Sequence, residues 1–196
     1  MVNVTEKTLS ILDTALSLVR QTGFESVSIA SLASEVGMSK SGLFAHFNSK
    51  EKMHLMILDH AAESFTYEIF KKSLNKPRGL SRLKSIIKNW SDWYKAGDGG
   101  TCPFVAASVE YDSRPGIVKD RIKLHINNLI SSLEYCARQC IDQGDFHPKS
   151  EPKMFAYELY SLILGHLVYQ RTIESKMATK LFNKAIEELI TKNLNT

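Results

Sequence analysis

The stretch Ser28-Ile29-Ala30-Ser31-Leu32-Ala33-Ser34-Glu35-Val36-Gly37-Met38-Ser39-Lys40-Ser41-Gly42-Leu43-Phe44-Ala45-His46-Phe47 decides the fold. Ser28 is placed to cap a short helix that turns Ile29, Leu32, Ala33 and Val36 inward, and Gly37 ends it. Ser39 caps a second helix running to about Phe47. Ala33 faces the crossing helix, where a larger side chain would force the pair apart. Gly37 supplies the positive φ of a tight inter-helix turn, and Leu43 fills the shared core. This is the spacing of a helix-turn-helix, whose second helix enters the DNA major groove while the first braces it across the backbone. The same residues at these intervals also suit an ordinary helical hairpin, so spacing alone leaves both readings open.

Helical periodicity continues on either side of this pair. Upstream, Leu9, Leu12, Leu16 and Val19 line one face of a first helix, Gly23 closes it, and Phe24 folds back onto that face. Downstream, Leu55, Met56, Leu58, Ala62, Phe65 and Ile69 predict one long helix from Lys50 to the breaker Asn75-Lys76-Pro77-Arg78-Gly79, a candidate hinge. Further helices are expected over about 80–95, shortly after the loop 96–103, and over 117–143, 152–174 and 176–194. The fold class is all-α, three short N-terminal helices followed by a longer helical remainder, about nine helices in all.

Composition narrows the function. With 43% hydrophobic and 23% charged residues, the 196-residue chain has the apolar content of a globular protein, and its net charge of +4 is too mild to argue for any partner. Three cysteines leave one thiol over from any pairing, which favours a reducing, cytoplasmic setting. Neither a secretory leader nor a membrane-length apolar run is visible. The chain shows no Gly-rich phosphate loop, nucleophile elbow or His-rich metal spacing, and no carboxylate pair arranged for acid/base work. An enzyme, a metal site and a cofactor are therefore not expected.

The run Gly37-Met38-Ser39-Lys40-Ser41-Gly42-Leu43-Phe44-Ala45-His46-Phe47-Asn48-Ser49-Lys50-Glu51 resembles the signature of TetR-type transcriptional regulators. The likeness covers about the first fifty-five residues, and the nine-helix layout is similar as well. Gly100-Thr101-Cys102-Pro103-Phe104 and Glu110-Tyr111-Asp112-Ser113-Arg114-Pro115-Gly116 look like one subgroup of that family. The resemblance implies a helix-turn-helix DNA-binding domain over residues 1–50 and a helical effector-binding and dimerisation domain over 51–196. It implies that Lys40, Ser41 and Gly42 reach base edges, with Ser39 capping their helix, while Ser28, Phe44, Ala45, His46 and Lys50 lie where the family touches phosphates. Two positions depart from the pattern: Phe44 stands where the family often has a tyrosine hydroxyl, and Ala45 where an aromatic is common. Over residues 1–52 five Lys and Arg (Lys7, Arg20, Lys40, Lys50, Lys52) balance five acids (Glu6, Asp13, Glu25, Glu35, Glu51). So neutral a head binds by placement and leans on dimerisation. Ser28 and Ser39 also read as caps alone, Lys50 as a solvated side chain, His46 as a surface histidine, and Phe44 and Phe47 as core.

Beyond the head, Trp90, Trp93, Phe104, His125, Tyr160 and His166 are candidates for an effector pocket, or are simply core. Ser161 and Gly165, four residues apart on an unusually apolar helix with Tyr169 beyond, permit close helix approach and mark a candidate dimer face; an internal packing contact is the alternative. Cys136 and Cys140 read as inert buried thiols. Cys102, just ahead of Pro103 at an expected helix start, is a candidate sensor thiol whose thiolate the helix would stabilise. Three readings stand: a cytoplasmic, homodimeric repressor that binds double-stranded operator DNA and is released by a small, largely apolar effector; a thiol-based electrophile or oxidant sensor through Cys102; and a helical interaction module that does not bind DNA.

Overall fold

The computed structural model describes residues 5–95, 101–173 and 176–195. Among them are nine α-helices: α1 (Glu6–Thr22), α2 (Ile29–Glu35), α3 (Lys40–Phe47), α4 (Lys50–Phe65), α5 (Leu80–Lys95), α6 (Pro103–Glu110), α7 (Ile117–Asp142), α8 (Pro152–Ile173) and α9 (Ala178–Thr191). The all-α class and the N-terminal helix-turn-helix are as expected from the sequence. Residues 96–100 of the expected loop and the last residue expected in α8, Glu174, lie outside the described residues. No described helix is long and apolar enough to cross a membrane.

Contacts divide the chain into two compact units, one of residues 1–69 with 90–125 and the other of 70–89 with 126–196. These units cut across the boundary expected at residue 50, because α4 carries the head's packing onward to α6. In the first unit α1 is capped by Thr5, whose hydroxyl accepts the Thr8 N–H, and buries Ile11, Leu12, Ala15, Leu16 and Val19. Leu9 does not share that face; it is 40% exposed, and Ile11 and Ala15 fill the stripe instead. Phe24 folds back into the core as expected and is fully buried.

The long helix expected from Lys50 to Asn75 is α-helical only to Phe65. A π turn over Thr66–Phe70 and a 3-10 turn over Lys71–Asn75 follow. Met53, His54, Ile57, Leu58, Ala61, Phe65 and Ile69 face inward, whereas Leu55, Met56 and Ala62 are only half-buried. Leu55, Met56 and Ala62 all precede the π turn and lie to either side of the buried stripe through Met53, Ile57, Leu58, Ala61 and Phe65, while Ile69, within the π turn, faces inward as expected.

In the second unit the N-terminus of α5 is capped from a distance. The Leu80 N–H donates to Asp145 Oδ2 at 2.7 Å, and Gly79, at φ +92°, makes room, since a Cβ there would collide with that oxygen. Arg82 ties the preceding turn down through two bonds to the Lys76 carbonyl, at 3.1 and 2.9 Å, so the expected hinge is braced. Helices α8 and α9 pack side by side. The chain after α9 is held by Asn193, whose carbonyl accepts the His147 N–H at 2.8 Å, while the Phe146 ring lies 5.2 Å from that of Phe155.

Gly79→Ala is expected to cost about 2 kcal/mol or more in a denaturant titration, because it combines an unfavourable φ with displacement of a charged cap. Asp145→Asn, which keeps an acceptor oxygen, should cost less. Equal losses in the two variants would mean that steric room at Gly79 plays no part.

Candidate nucleic-acid interface

Hydroxyl caps fix the start of both helices of the helix-turn-helix. Ser28 Oγ accepts the Ser31 N–H at 3.0 Å and Ser31 Oγ accepts the Ser28 N–H at 2.9 Å, a reciprocal box at the start of α2. Ser39 Oγ accepts the Gly42 N–H at 3.1 Å at the start of α3. Each capping oxygen also lies beside a second hydroxyl, Ser28 Oγ 3.1 Å from Ser31 Oγ and Ser39 Oγ 3.3 Å from Ser41 Oγ. In the turn between the helices Gly37 has φ +64°, and a Cβ there would meet nothing within 4 Å; its requirement is the backbone angle rather than space. The Met38 N–H returns to the Ala33 carbonyl at 2.9 Å, and Ala33 and Leu43 are buried between the helices.

Leu43 and Phe47, four residues apart, form the buried face of α3. Lys40, Ser41, Phe44 and Ala45 are exposed, and Gly42 and His46 are half-buried. Phe44 is thus not core, as one reading of the sequence had it. It is 47% exposed because its position is rotated about 100° from Leu43 on the helix. His46 sits with Nδ1 3.3 Å from the Thr8 hydroxyl of α1.

At the N-terminus of α4, Lys50 is already engaged. Its Nζ donates to the Glu25 carbonyl at 2.9 Å and lies 3.4 Å from Glu25 Oε1, and the Arg114 guanidinium bonds the other oxygen of that carboxylate. These cations, Arg114 first, hold the Glu25 carboxyl below its ordinary value. Next to it the Glu110 carboxylate accepts the N–H groups of Phe24 at 3.0 Å and Glu25 at 2.6 Å. Gly23, at φ +84°, permits this approach, because a Cβ there would collide with Glu110 Oε1. His54 completes the junction. Its Nε2 faces the Val27 carbonyl at 3.1 Å, which can only accept, so Nε2 carries the proton and Nδ1 accepts from the Tyr111 hydroxyl. Burial holds the His54 imidazole below its usual value and pushes the Tyr111 hydroxyl up to about 12.

Glu25, His54, Glu110, Tyr111 and Arg114 escaped the reading of the sequence, apart from the last three as part of a subgroup likeness. One signal was available. Glu110 ends α6, where the helix's own partial charge is negative, and a carboxylate there needs donors from elsewhere.

The expected effector residues fall into two groups. In the first unit Trp90, Trp93 and Phe104 are buried with their rings edge-on to Phe65, at 5.2, 5.2 and 6.1 Å. The His125 ring lies 5.9 Å from that of Phe104, and its Nε2 donates to Asp59 Oδ1 at 2.8 Å, while Arg121 bonds Oδ2. Tyr160 and His166 belong to the second unit, where His166 stacks on Phe182 at 4.3 Å. Cys102 does occupy the N-cap of α6, yet it is buried, and burial pushes its thiol up despite the nearby N–H groups, the Tyr94 hydroxyl and Arg20. The stabilised thiolate expected at a helix start is therefore not what this site produces. Burial also raises Cys136 to about 11 and Cys140 to about 12, as suits inert thiols.

On α8 the side chains of Met154, Tyr157, Ser161, Val168, Tyr169 and Ile173 are exposed, and so is Gly165. Among the described residues a Cβ at Gly165 would meet nothing within 4 Å, so no internal packing requires a glycine there. A groove lined by Tyr157, Glu158, Ser161 and Leu162 of α8 and Ala185, Glu188, Leu189 and Lys192 of α9 adjoins this stripe.

Comparison with known proteins agrees with this geometry. Residues 11–55 match the family model for bacterial regulatory proteins of the tetR family, and residues 79–186 match that for the tetracyclin repressor-like C-terminal domain. Among curated proteins the chain is similar to the nucleoid occlusion factor SlmA of Haemophilus influenzae, 24% identical over 113 residues that make up 55% of this chain and 52% of that protein. The match thus spans about half the length of that relative. Among solved structures, a TetR-family transcriptional regulator from Cytophaga hutchinsonii superposes with a TM-score of 0.83 at 16% identity, covering 97% of this chain and 96% of that one. AibR, solved in complex with isovaleryl coenzyme A and operator DNA, superposes with a TM-score of 0.68 at 17% identity, covering 95% and 97%.

The buried, neutral His54 makes folding sensitive to acid. As pH falls below 6.5, the unfolded chain takes up a proton that His54 in the folded chain refuses. The stability it contributes is therefore present above that pH and is lost at up to about 1.4 kcal/mol per unit on going lower. Denaturant midpoints measured from about pH 7.5 to about pH 5 should fall less steeply for His54→Gln than for the parent. Parallel curves would assign the acid loss to other groups.

Proposed function

From the premise that this chain belongs to the tetR family of bacterial regulatory proteins and is a DNA-binding transcriptional regulator, we propose that it is a homodimeric repressor released from its operator by a small, largely apolar effector. The observation that carries this reading is the outward face of α3. Lys40 and Ser41 stand free of the core at its N-terminus, where a recognition helix meets base edges, and Ser28 and Ser39 cap the two helices of the pair. In this reading Gly42 lets the backbone approach a base, and His46 and Lys50 contact phosphates beside the groove. Phe44 is exposed where the family's tyrosine would bond a phosphate, so that bond is missing and the aromatic ring alone offers contact.

One short helix on a neutral head reads too few base pairs to find a single site, which argues for two copies. The exposed α8 stripe through Ser161, Gly165 and Tyr169 supports a second copy of this chain as its cover. For the effector, the group Trp90, Trp93, Phe104 and His125 is the stronger candidate, because it combines aromatic surface with the polar Asp59, Arg121 and His125 beside α4, the helix that follows the recognition helix. The AibR complex supports a small-molecule ligand and operator DNA on this fold. Burial of Cys102 disfavours the thiol-sensing alternative, and the family match disfavours a helical module without DNA.

The reading is tested by titrating the protein with a duplex that it selects from a random pool. Lys50→Ala should weaken binding to all sequences alike and lower the log–log salt slope by about one unit per half-site, whereas substitution of Lys40 or Ser41 should reduce the penalty of about 1–3 kcal/mol for a wrong base pair. An unchanged slope would remove Lys50 from the interface.

Gly165→Leu should give monomers in sedimentation with the fold intact, and operator binding should be lost with the dimer. A stable dimer in that variant would move the interface off this stripe.

A further inference from the structure

Lys50 and Arg114 come from different elements, the first turn of α4 and the loop after α6, yet both end on one carboxylate. Lys50 lies 3.4 Å from Glu25 Oε1, and Arg114 bonds Oε2. All three side chains are open to solvent, with exposures of 42% for Lys50, 52% for Arg114 and 56% for Glu25. The arrangement is built rather than incidental. The Arg114 guanidinium lies over the Tyr111 ring, 5.8 Å from its centroid, and Tyr111 is fixed by His54. Of the neighbouring anions, Glu110 spends both oxygens on the N–H groups of Phe24 and Glu25, and Glu51 follows directly after Lys50. Three residues after Glu25 stands Ser28, the cap of α2.

A phosphodiester carries the same single negative charge as a carboxylate and offers a guanidinium the same pair of oxygens. We propose that Lys50 and Arg114 together form a site for one DNA backbone phosphate, which the Glu25 carboxylate occupies while DNA is absent. This rests on the DNA-binding reading above and adds Arg114 and Glu25 to it. An ion pair so open to water is weak, so a phosphate delivered in register displaces the carboxylate at little cost. A polyanion that makes no other contact must bear that exchange unaided. Glu25 then acts as a threshold against indiscriminate binding in a head with no surplus of positive charge.

The test uses full-length protein, the selected duplex and a scrambled duplex, with affinity followed across a salt series. Glu25→Gln should bind both duplexes more tightly, by roughly three- to tenfold, with the larger gain on the scrambled one. Arg114→Ala should bind both more weakly and lower the salt slope by about one unit per half-site. In the double variant the gain from Glu25→Gln should shrink, since one of the two cations it frees is gone. Thermal melting checks that each variant folds; if Arg114→Ala does not, Arg114→Lys serves, and it should keep the slope while losing affinity with the lost fork. Glu25→Gln binding no tighter than the parent, or Arg114→Ala with an unchanged slope, overturns the proposal. Inorganic phosphate at constant ionic strength should leave the parent's binding unchanged, and competition by it would make this a free-phosphate site and overturn the assignment to DNA. If the parent selects no duplex, the DNA-binding reading itself fails.

Discussion

The geometry of the head depends on one carboxylate. Glu110 accepts the two successive N–H groups of Phe24 and Glu25, which the turn between α1 and α2 cannot satisfy internally. With that turn fixed, α2 leaves α1 at a defined angle and Ser28 caps it. The Val27 carbonyl is then in place to orient His54, and through the buried imidazole the first turns of α4 are fixed against Tyr111. Gly23 is the sequence's concession to this arrangement, since any larger residue would stand where the carboxylate must come.

The same junction sets the electrostatics of the head. With five positive and five negative residues over 1–52, attraction to any anion depends on which acids are already committed. Glu110 is committed to main-chain N–H groups and Glu25 to two cations, while Lys40 on α3 stands exposed. On α4, Asp59 is committed to Arg121 and His125, and His60 reaches Asp13 of α1 at 2.7 Å. Lys50, His54, Asp59 and His60 thus tie α4 to several other parts of the same unit, so the helix moves only if several such pairs exchange partners.

What could be read from the sequence follows from how local the determining forces are. Ser28, Gly37 and Ser39 act within a few residues of themselves, so α2, α3 and the turn between them were legible. Periodicity located α1 and α3, but where apolar residues occupy adjacent positions it did not say which one faces in. Ile11 takes the place in the core that Leu9 seemed to claim, and Phe44 stands outside because Leu43 and Phe47 fill the inner face. The α-helix from Lys50 ends at Phe65 in a π turn and a 3-10 turn, which a pattern of apolar spacing does not distinguish from it. The Glu110 junction was the least legible part, for its partners are separated by more than eighty residues and nothing in the local sequence names them. Cys102 shows a contest of effects in which the helix start was read correctly and the burial that outweighs it was not visible.

The distance along the chain between Phe24 and Glu110 also bears on how the protein is made. Chains emerge from the ribosome N-terminus first, and domains form as their residues become available. The first four helices are complete in the nascent chain well before residue 110 is translated, and until then the N–H groups of Phe24 and Glu25 have only water as acceptor. Closing so long a loop also carries an entropic cost that local helix formation does not. The head therefore reaches its final shape late, when α6 and the loop through Arg114 have left the ribosome, and a chain halted before that point holds its entry turn only through the bonds that Lys50 and His54 make to the carbonyls of Glu25 and Val27.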